Sequence, residues 1–323
     1  MFICRHLPLT EIDSWEKYID GNSTASFFQN TDWLRLYLKH FQVRDFSLGI
    51  YENDKLVGFA PLELREKTVG FLGIMPVVGN EKISDFGDIV ASAGKEKEVW
   101  ETIMSQFPNP NPQADGSKIT IECNFIRGNS ISYKILKKLG GKIEEVDSAP
   151  NIDLPRTWEE YLLSLDRHNR HEIKRKIRRL EEAKAFKVCF EGNPADIDDL
   201  FRLMKLSSEK KNIFLSPRME EYFRDLINSL WNNKKLELCF LKIDGKNIAV
   251  VILFNFKDEV LLYNSGYDPQ YYKLAPGLLL KAYTIKRAIE KGKKKYDFLR
   301  GNERYKYDLG GKEKKLYRIR FLI

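Results

Sequence analysis

The sequence predicts an α/β protein with mixed sheets, built from two similar halves. Three observations predict it. A strand, a tight turn and a longer strand occur twice, once near residue 50 and once near residue 240. Each pair is followed by a strand, a helix and another strand. Between the halves, Ala149-Pro150-Asn151-Ile152-Asp153-Leu154-Pro155 carries two prolines that interrupt regular structure. At 323 residues the chain exceeds one ordinary core, so two domains are expected, 1–153 and 154–323.

The elements follow in order. Phe46 to Tyr51 and Lys55 to Leu62 flank Glu52-Asn53-Asp54 as a hairpin, and Thr68 to Leu72 is a further strand. Lys95 to Phe107 is helical, Pro108 to Ser117 a Pro/Asn loop, and Lys118 to Cys123 alternates as a strand. In the second half Thr157 is an N-cap for Trp158 to Leu165, with Glu160 completing a capping box. Arg167 to Lys187 reads as a basic helix with Ile173, Ile177 and Leu180 as its apolar stripe. Leu236 to Lys242 and Lys246 to Phe254 flank Asp244-Gly245, a strong hairpin signal. Val260 to Tyr263 is a strand, Pro276 to Lys291 a helix and Lys295 to Leu299 a strand. On that helix Leu278, Ala282, Ile285 and Ile289 share one face, while Lys281, Lys286 and Arg287 point away. The ends echo as well: Arg127-Gly128-Asn129 precedes Leu139-Gly140-Gly141, and Arg300-Gly301-Asn302 precedes Leu309-Gly310-Gly311. An ancient duplication explains the matched order.

Composition narrows the class. With 43% hydrophobic and 12% aromatic residues the chain is globular. No apolar run approaches the roughly 20 residues of a membrane span, and Met1 to His6 lacks a signal-peptide layout, so a cytoplasmic protein is expected. Cys4, Cys123, Cys189 and Cys239 are scattered, and His168 and His171 have no third ligand nearby, so no metal is expected. The 54 Lys+Arg against 46 Asp+Glu leave a charge of +8, which favours acidic partners: CoA, a nucleotide-linked substrate, tRNA or anionic headgroups. The basic stretch 167–187 is either a solvated face or a phosphate- or RNA-contacting helix.

Asn264 to Leu280 is the most informative stretch. A strand enters a turn, and Pro276 and Gly277 then open an amphipathic helix. Such a helix start leaves N–H groups unpaired and positively polarised, which suits donor phosphates. Proline fits the first helical position, and glycine lets a ligand approach the backbone.

Residues 236–306 resemble the core of the GCN5-related N-acetyltransferase (GNAT) fold. The order Gly266-Tyr267-Asp268, Tyr272, Leu274 to Leu279 and Tyr296 to Lys306 is similar to the BioF2-like, or CelD-like, acetyltransferase domain. Two GNAT domains in tandem also occur in Fem-type aminoacyltransferases, and Phe27 to Leu34 looks like the start of such proteins. The usual Q/R-x-x-G-x-G/A pyrophosphate loop is not matched by Tyr271 to Gly277, which leaves the donor open: acyl-CoA, aminoacyl-tRNA or a carrier-linked acyl group.

The resemblance implies an acyltransferase with acetyl-CoA or another acyl-CoA in the second domain and the acceptor on the side of the first. The acceptor would be an amine or hydroxyl of a small or envelope-precursor substrate, such as an amino sugar. The donor carbonyl would meet backbone N–H groups at Asn264 and Ser265, and Leu274, Ala275, Pro276, Gly277 and Leu278 would take the carrier. Lys306 would stabilise the oxyanion and Tyr305 protonate the leaving group. Asp268, Glu303 and Asp297 are base candidates. Asp85, within Ser84 to Asp88, together with Tyr267 and Arg300 would bind the substrate. A tRNA-dependent Fem-type transferase and a degenerate, non-catalytic binding protein are the alternatives. DNA is not an expected partner.

Overall fold

The computed structural model describes residues 1–11, 25–74, 82–107, 119–182 and 186–322. The expected loop Pro108 to Ser117 and the start of a strand at Lys118 lie outside them. The chain forms two compact units, 1–147 with 315–323, and 148–314. The second unit therefore opens before the expected 153/154 boundary, and the final strand belongs to the first unit.

In the first unit β1 (Phe2–His6) pairs antiparallel with the hairpin's first strand. Helix α1 (Thr31–His40) starts at Asn30, whose side chain accepts from the Asp32 N–H. After the short β2 (Arg44–Asp45), β3 (Leu48–Glu52) and β4 (Lys55–Ala60) form the hairpin. Asn53 and Asp54, at φ 50° and 59°, turn it in the left-handed region, where Asn and Asp are tolerated best. The longer strand expected through Leu62 stops at Ala60. Pro61 interrupts it, and β5 (Leu62–Arg65) with β6 (Thr68–Phe71) enters a different sheet. Then follow β7 (Val90–Ala91), α2 (Glu96–Met104), β8 (Thr120–Arg127), α3 (Ile131–Lys138) and β9 (Lys142–Ser148). The two sheets have the orders β1-β3-β4-β7 and β2-β5-β6-β8-β16-β9, where β16 is Lys315–Leu322 from the end of the chain.

The second unit is one six-stranded sheet. It contains β10 (Asn151–Asp153), β11 (Phe186–Cys189), β12 (Leu236–Ile243), β13 (Lys246–Phe256), β14 (Glu259–Tyr267) and β15 (Lys295–Asp297), in the order β10-β15-β14-β13-β12-β11. Helix α4 (Trp158–Ser164) has the expected capping box of Thr157 and Glu160. Helix α5 (Arg167–Glu181) is shorter than the expected 167–187, because Phe186 already belongs to a strand paired with β12. Helices α6 (Ile197–Ser207), α7 (Glu209–Phe214) and α8 (Pro217–Trp231) follow, and α8 begins on Ser216 as N-cap with proline in its first turn. Asp244 and Gly245, at φ 49° and 80°, turn the β12–β13 hairpin as Asn53 and Asp54 turn the first one.

Helix α9 (Pro276–Glu290) packs on β12, β13 and β14 and is buried on almost every side: Leu279, Leu280, Ala282, Ile285, Ala288 and Ile289 all enter the core. Burying one such leucine or isoleucine contributes about 1.5–3 kcal/mol. Lys281 does not point away as expected. It is 6% exposed, whereas Lys286 and Arg287 are half-buried. The last helix of the unit is α10 (Arg304–Asp308).

Each unit also contains a parallel strand pair, β6 with β8 and β14 with β15. No described helix is long and apolar enough to cross a membrane.

Candidate active site

Strand β14 builds the site. Its parallel pairing with β15 covers only Glu259 to Leu261, while its antiparallel pairing with β13 continues to Tyr267. From Leu262 onward, therefore, one edge of β14 is parted from β15. The strand runs four residues beyond the Tyr263 expected from the sequence, because β13 supports it throughout. A register shift between Ile252 and Leu253 places a bulge at Tyr263.

On the parted edge the Ser265 N–H donates to Asn264 Oδ1 at 2.9 Å, and the Ser265 carbonyl accepts from Lys211 Nζ. Backbone groups of successive strand residues point to opposite edges, so the Asn264 N–H turns toward β13. Of the two amides expected to polarise a carbonyl, Ser265 is the one on the open edge. The Asn264 side chain currently caps it.

Gly266 explains how β14 is held there. A Cβ at that position would lie 2.4 Å from the backbone of Leu203 and Met204, so α6 rests directly on the strand. One residue on, the Tyr267 ring would be 3.2 Å from a Cβ on Gly277, which places strand and helix start side by side.

The start of α9 is unusual. Ala275 occupies the left-handed region at φ 50° and makes no side-chain cap. Its carbonyl accepts from the N–H groups of Leu278 and Leu279 at 3.1 and 3.0 Å. Pro276 has no N–H, so Gly277 supplies the remaining first-turn donor. One amide at a positively polarised helix end suits one phosphate oxygen, and it is a sparser cradle than a multi-glycine loop.

The other expected residues cluster around a turn after β15. Leu299 and Gly301 have φ of 59° and 110°, which is costly for a bulky leucine. Lys306 closes this turn: its Nζ donates to the carbonyls of Leu299, Arg300 and Gly301 at 3.0, 2.7 and 3.1 Å and lies 2.9 Å from Glu303 Oε2. Lys306 is 2% exposed, and its three protons face four acceptors. Burial alone would raise the Glu303 carboxyl, but the Lys306 ammonium outweighs that and holds it below the usual carboxylate range. Burial pushes the Tyr305 phenol far above its ordinary value, and the Glu303 charge adds to the effect.

Two lysines that the sequence did not single out complete the cluster. Lys281 Nζ donates to the Gly277 carbonyl at 3.1 Å and sits 4.6 Å over the Tyr305 ring. Burial pushes it down to about 7, helped by the Lys211 and Lys306 charges and opposed by Glu303. Lys211, on α7, is likewise lowered by burial, to about 8, against the pull of Glu303. A signal for Lys281 existed, since it stands in Leu278 to Ala282, an apolar run inside a buried helix. For Lys211, within Glu209-Lys210-Lys211, there was none.

Three expected residues stand elsewhere. Asp268 Oδ1 accepts from the Gln270 N–H at 3.0 Å, and Oδ2 pairs with Lys246 at 3.1 Å, so it is engaged as a turn cap. Burial would raise its carboxyl, but the Gln270 amide and Lys246 keep it low. Asp297 Oδ1 accepts from the Leu299 N–H at 2.8 Å, which supports the same strained turn. Asp85 lies in the first unit, buried beside Ser84, whose Oγ accepts from Trp33 Nε1 at 2.8 Å. Leu274 is half-buried just ahead of α9, and the Arg300 side chain is half-buried.

Separately, the first two turns of α5 line an open cavity of about 660 Å³ with Arg167, His168, Arg170, His171 and Lys174. Among the described residues no group of three His, Cys, Asp or Glu side chains could hold a metal ion.

Known proteins resemble this chain in a domain match and in fold. Residues 167–307 match the family model described as an acetyltransferase (GNAT) domain. No curated protein matches the sequence. Among solved structures, the crystal structure of FemX is similar at 13% identity and a TM-score of 0.68, covering 99% of this chain and 97% of that one. L-PGS from Bacillus licheniformis is similar at 11% identity and a TM-score of 0.57, covering 94% and 90%. A tandem GNAT protein from the clavulanic acid biosynthesis pathway is similar at 9% identity and a TM-score of 0.51, covering 100% and 98%. Residues 167–307 thus match a GNAT acetyltransferase domain model, in a chain whose fold is similar throughout to those of FemX and the tandem GNAT protein.

Proposed function

We propose that the protein moves an acyl group from a CoA-type carrier to an amine or hydroxyl of a small or envelope-precursor substrate, such as an amino sugar. The observation that carries the reading is the Ser265 amide on the parted edge of β14, beside the start of α9. Swinging the Asn264 side chain aside frees that N–H for the donor carbonyl. One preorganised donor of this kind supplies roughly 3–4 kcal/mol to an oxyanion-forming step. Gly277 then holds a carrier phosphate, with Leu274, Ala275, Pro276 and Leu278 around it. Lys306 and Glu303 act as positioning residues for the turn, while Tyr305 faces the leaving group. The second unit is the donor side, and the first, with Asp85, the acceptor side.

The test is donor binding and turnover. Acetyl-CoA at 100 times its Kd is expected to stabilise the protein by about 2.7 kcal/mol, and Gly277→Trp to abolish the effect. Absence of both a melting shift and turnover with any acyl-CoA would refute the reading.

The basic cavity on α5 favours a second reading, a Fem-type transferase that uses charged tRNA. Binding of tRNA would then weaken steeply with salt and with Arg167→Ala and Arg170→Ala. Acyl-CoA turnover that ignores both substitutions argues against it.

A further inference from the structure

Three lysines and one carboxylate share the space beside the open edge of β14. Lys306 is saturated by its four acceptors. Lys211 and Lys281 are not. Among the described residues each donates a single hydrogen bond, Lys211 to the Ser265 carbonyl and Lys281 to the Gly277 carbonyl. An ammonium has three protons, so each keeps two for another acceptor. The charges do not balance either: among the described residues Glu303 is the carboxylate that acts on Lys211 and Lys281, and it is already paired with Lys306.

A buried cation without a counter-charge is costly, and proteins retain one chiefly where a ligand or a reaction supplies its partner. Lys281 is 6% exposed, yet the cluster is reachable: Asn264, Ser265 and Lys211 are half-buried, and the Glu303 side chain is 58% exposed. The Tyr305 ring, 4.6 Å from the Lys281 ammonium, covers one side of it.

We propose that Lys211 and Lys281 together form a binding site for an oxyanion, a carboxylate or phosphate carried by a substrate, held beside the Ser265 edge of β14. That the oxyanion belongs to an acyl-transfer substrate rests on the function proposed above; the anion site itself does not. The two ammonium groups each offer protons to one oxygen of the anion. Lys211 is itself bonded to the Ser265 carbonyl, so an anion it holds lies next to the carbonyl-polarising amide. A substrate bearing a free carboxylate or phosphate is then preferred over its neutral ester or amide.

The test compares melting of the intact protein in sodium phosphate and in sodium acetate against sodium chloride at equal ionic strength. A response to phosphate identifies a phosphate-bearing substrate, and a response to acetate a carboxylate-bearing one. Lys211→Met and Lys281→Met are each expected to weaken that anion at least tenfold, and Lys174→Met on the basic helix to leave it unchanged. Should a methionine variant fail to fold, lysine-selective NMR of the wild-type protein replaces it. The Lys281 titration midpoint then rises when the anion is added. No response beyond chloride, a response in both methionine variants as large as that of the wild-type protein, or an unmoved midpoint overturns the proposal. Anion binding at these lysines without acyl transfer would sink the transferase and keep the anion site. Acyl transfer without an anion response would do the reverse.

Discussion

At the scale of single residues, Lys306 and Lys281 separate two jobs that lysine performs in a protein interior. Lys306 pins the carbonyls of a turn that contains a left-handed leucine, and its charge is answered by Glu303. Lys306→Met leaves those carbonyls short of a donor. It is expected to lower stability by about 2 kcal/mol, as measured by urea unfolding, and to lower turnover through the displaced turn. Lys281 is held below its ordinary 10.5 by burial and like charge. Its folded value near 7 lies under its unfolded value, so between the two the unfolded chain binds more protons. Stability therefore rises as pH climbs from about 7 toward 10.5 and is reduced below 7. Lys281→Met removes the burdened charge. Unfolding at pH 6 is expected to show a gain of about 1–4 kcal/mol and a flatter stability–pH profile above pH 7. A loss of stability at pH 6 would mean that the ammonium has a counter-charge in the fold.

At the scale of elements, β14 matters because α6 on one side and β13 on the other fix it while β15 lets go. Gly266→Ala puts a methyl group against the α6 backbone, which cannot rotate away as a side chain can. A destabilisation of about 1–3 kcal/mol is expected in thermal unfolding, with donor affinity lost before the fold is. The hairpins were legible because Asp244-Gly245 and Asn53-Asp54 carry turn chemistry in the residues themselves. The Thr157 and Glu160 capping box was legible for the same local reason. The end of α5 was not: residues 182–187 have no strong stop signal, and pairing of Phe186 with Ile243 is a long-range event. Amphipathic periodicity also misplaced Lys281, because α9 is covered on nearly every side and offers no polar face in its first two turns.

At the scale of the whole molecule, the two units share hairpin, parallel strand pair and glycine-marked turn, as the repeated sequence order implied. What the sequence hid is the last strand. β16 inserts between β8 and β9 of the first unit after the chain has completed the second. No local pattern announces a partner about 190 residues earlier; Arg320 meets Glu122 at 2.6 Å and a separation of 198. Deleting residues 315–323 is expected to unfold the first unit and leave the second protected, as limited proteolysis with mass spectrometry would show. Simultaneous loss of both units would contradict that division. The candidate site was legible only where the backbone order reveals it, at Ser265, Gly277 and the turn before Lys306. Lys211 was invisible because its role depends on where α7 lands.

Hydrogen exchange of the intact protein with and without acetyl-CoA bears most directly on the site. Protection is expected in peptides spanning Leu262 to Lys281, above all at the Ser265 and Gly277 amides, and it should vanish in Ser265→Pro, which removes the open-edge N–H without breaking a ladder bond to β13. Acetyl-CoA turnover with those amides unprotected, or undiminished in Ser265→Pro, would contradict the assignment of the parted edge of β14 as the place where the acyl carbonyl is held.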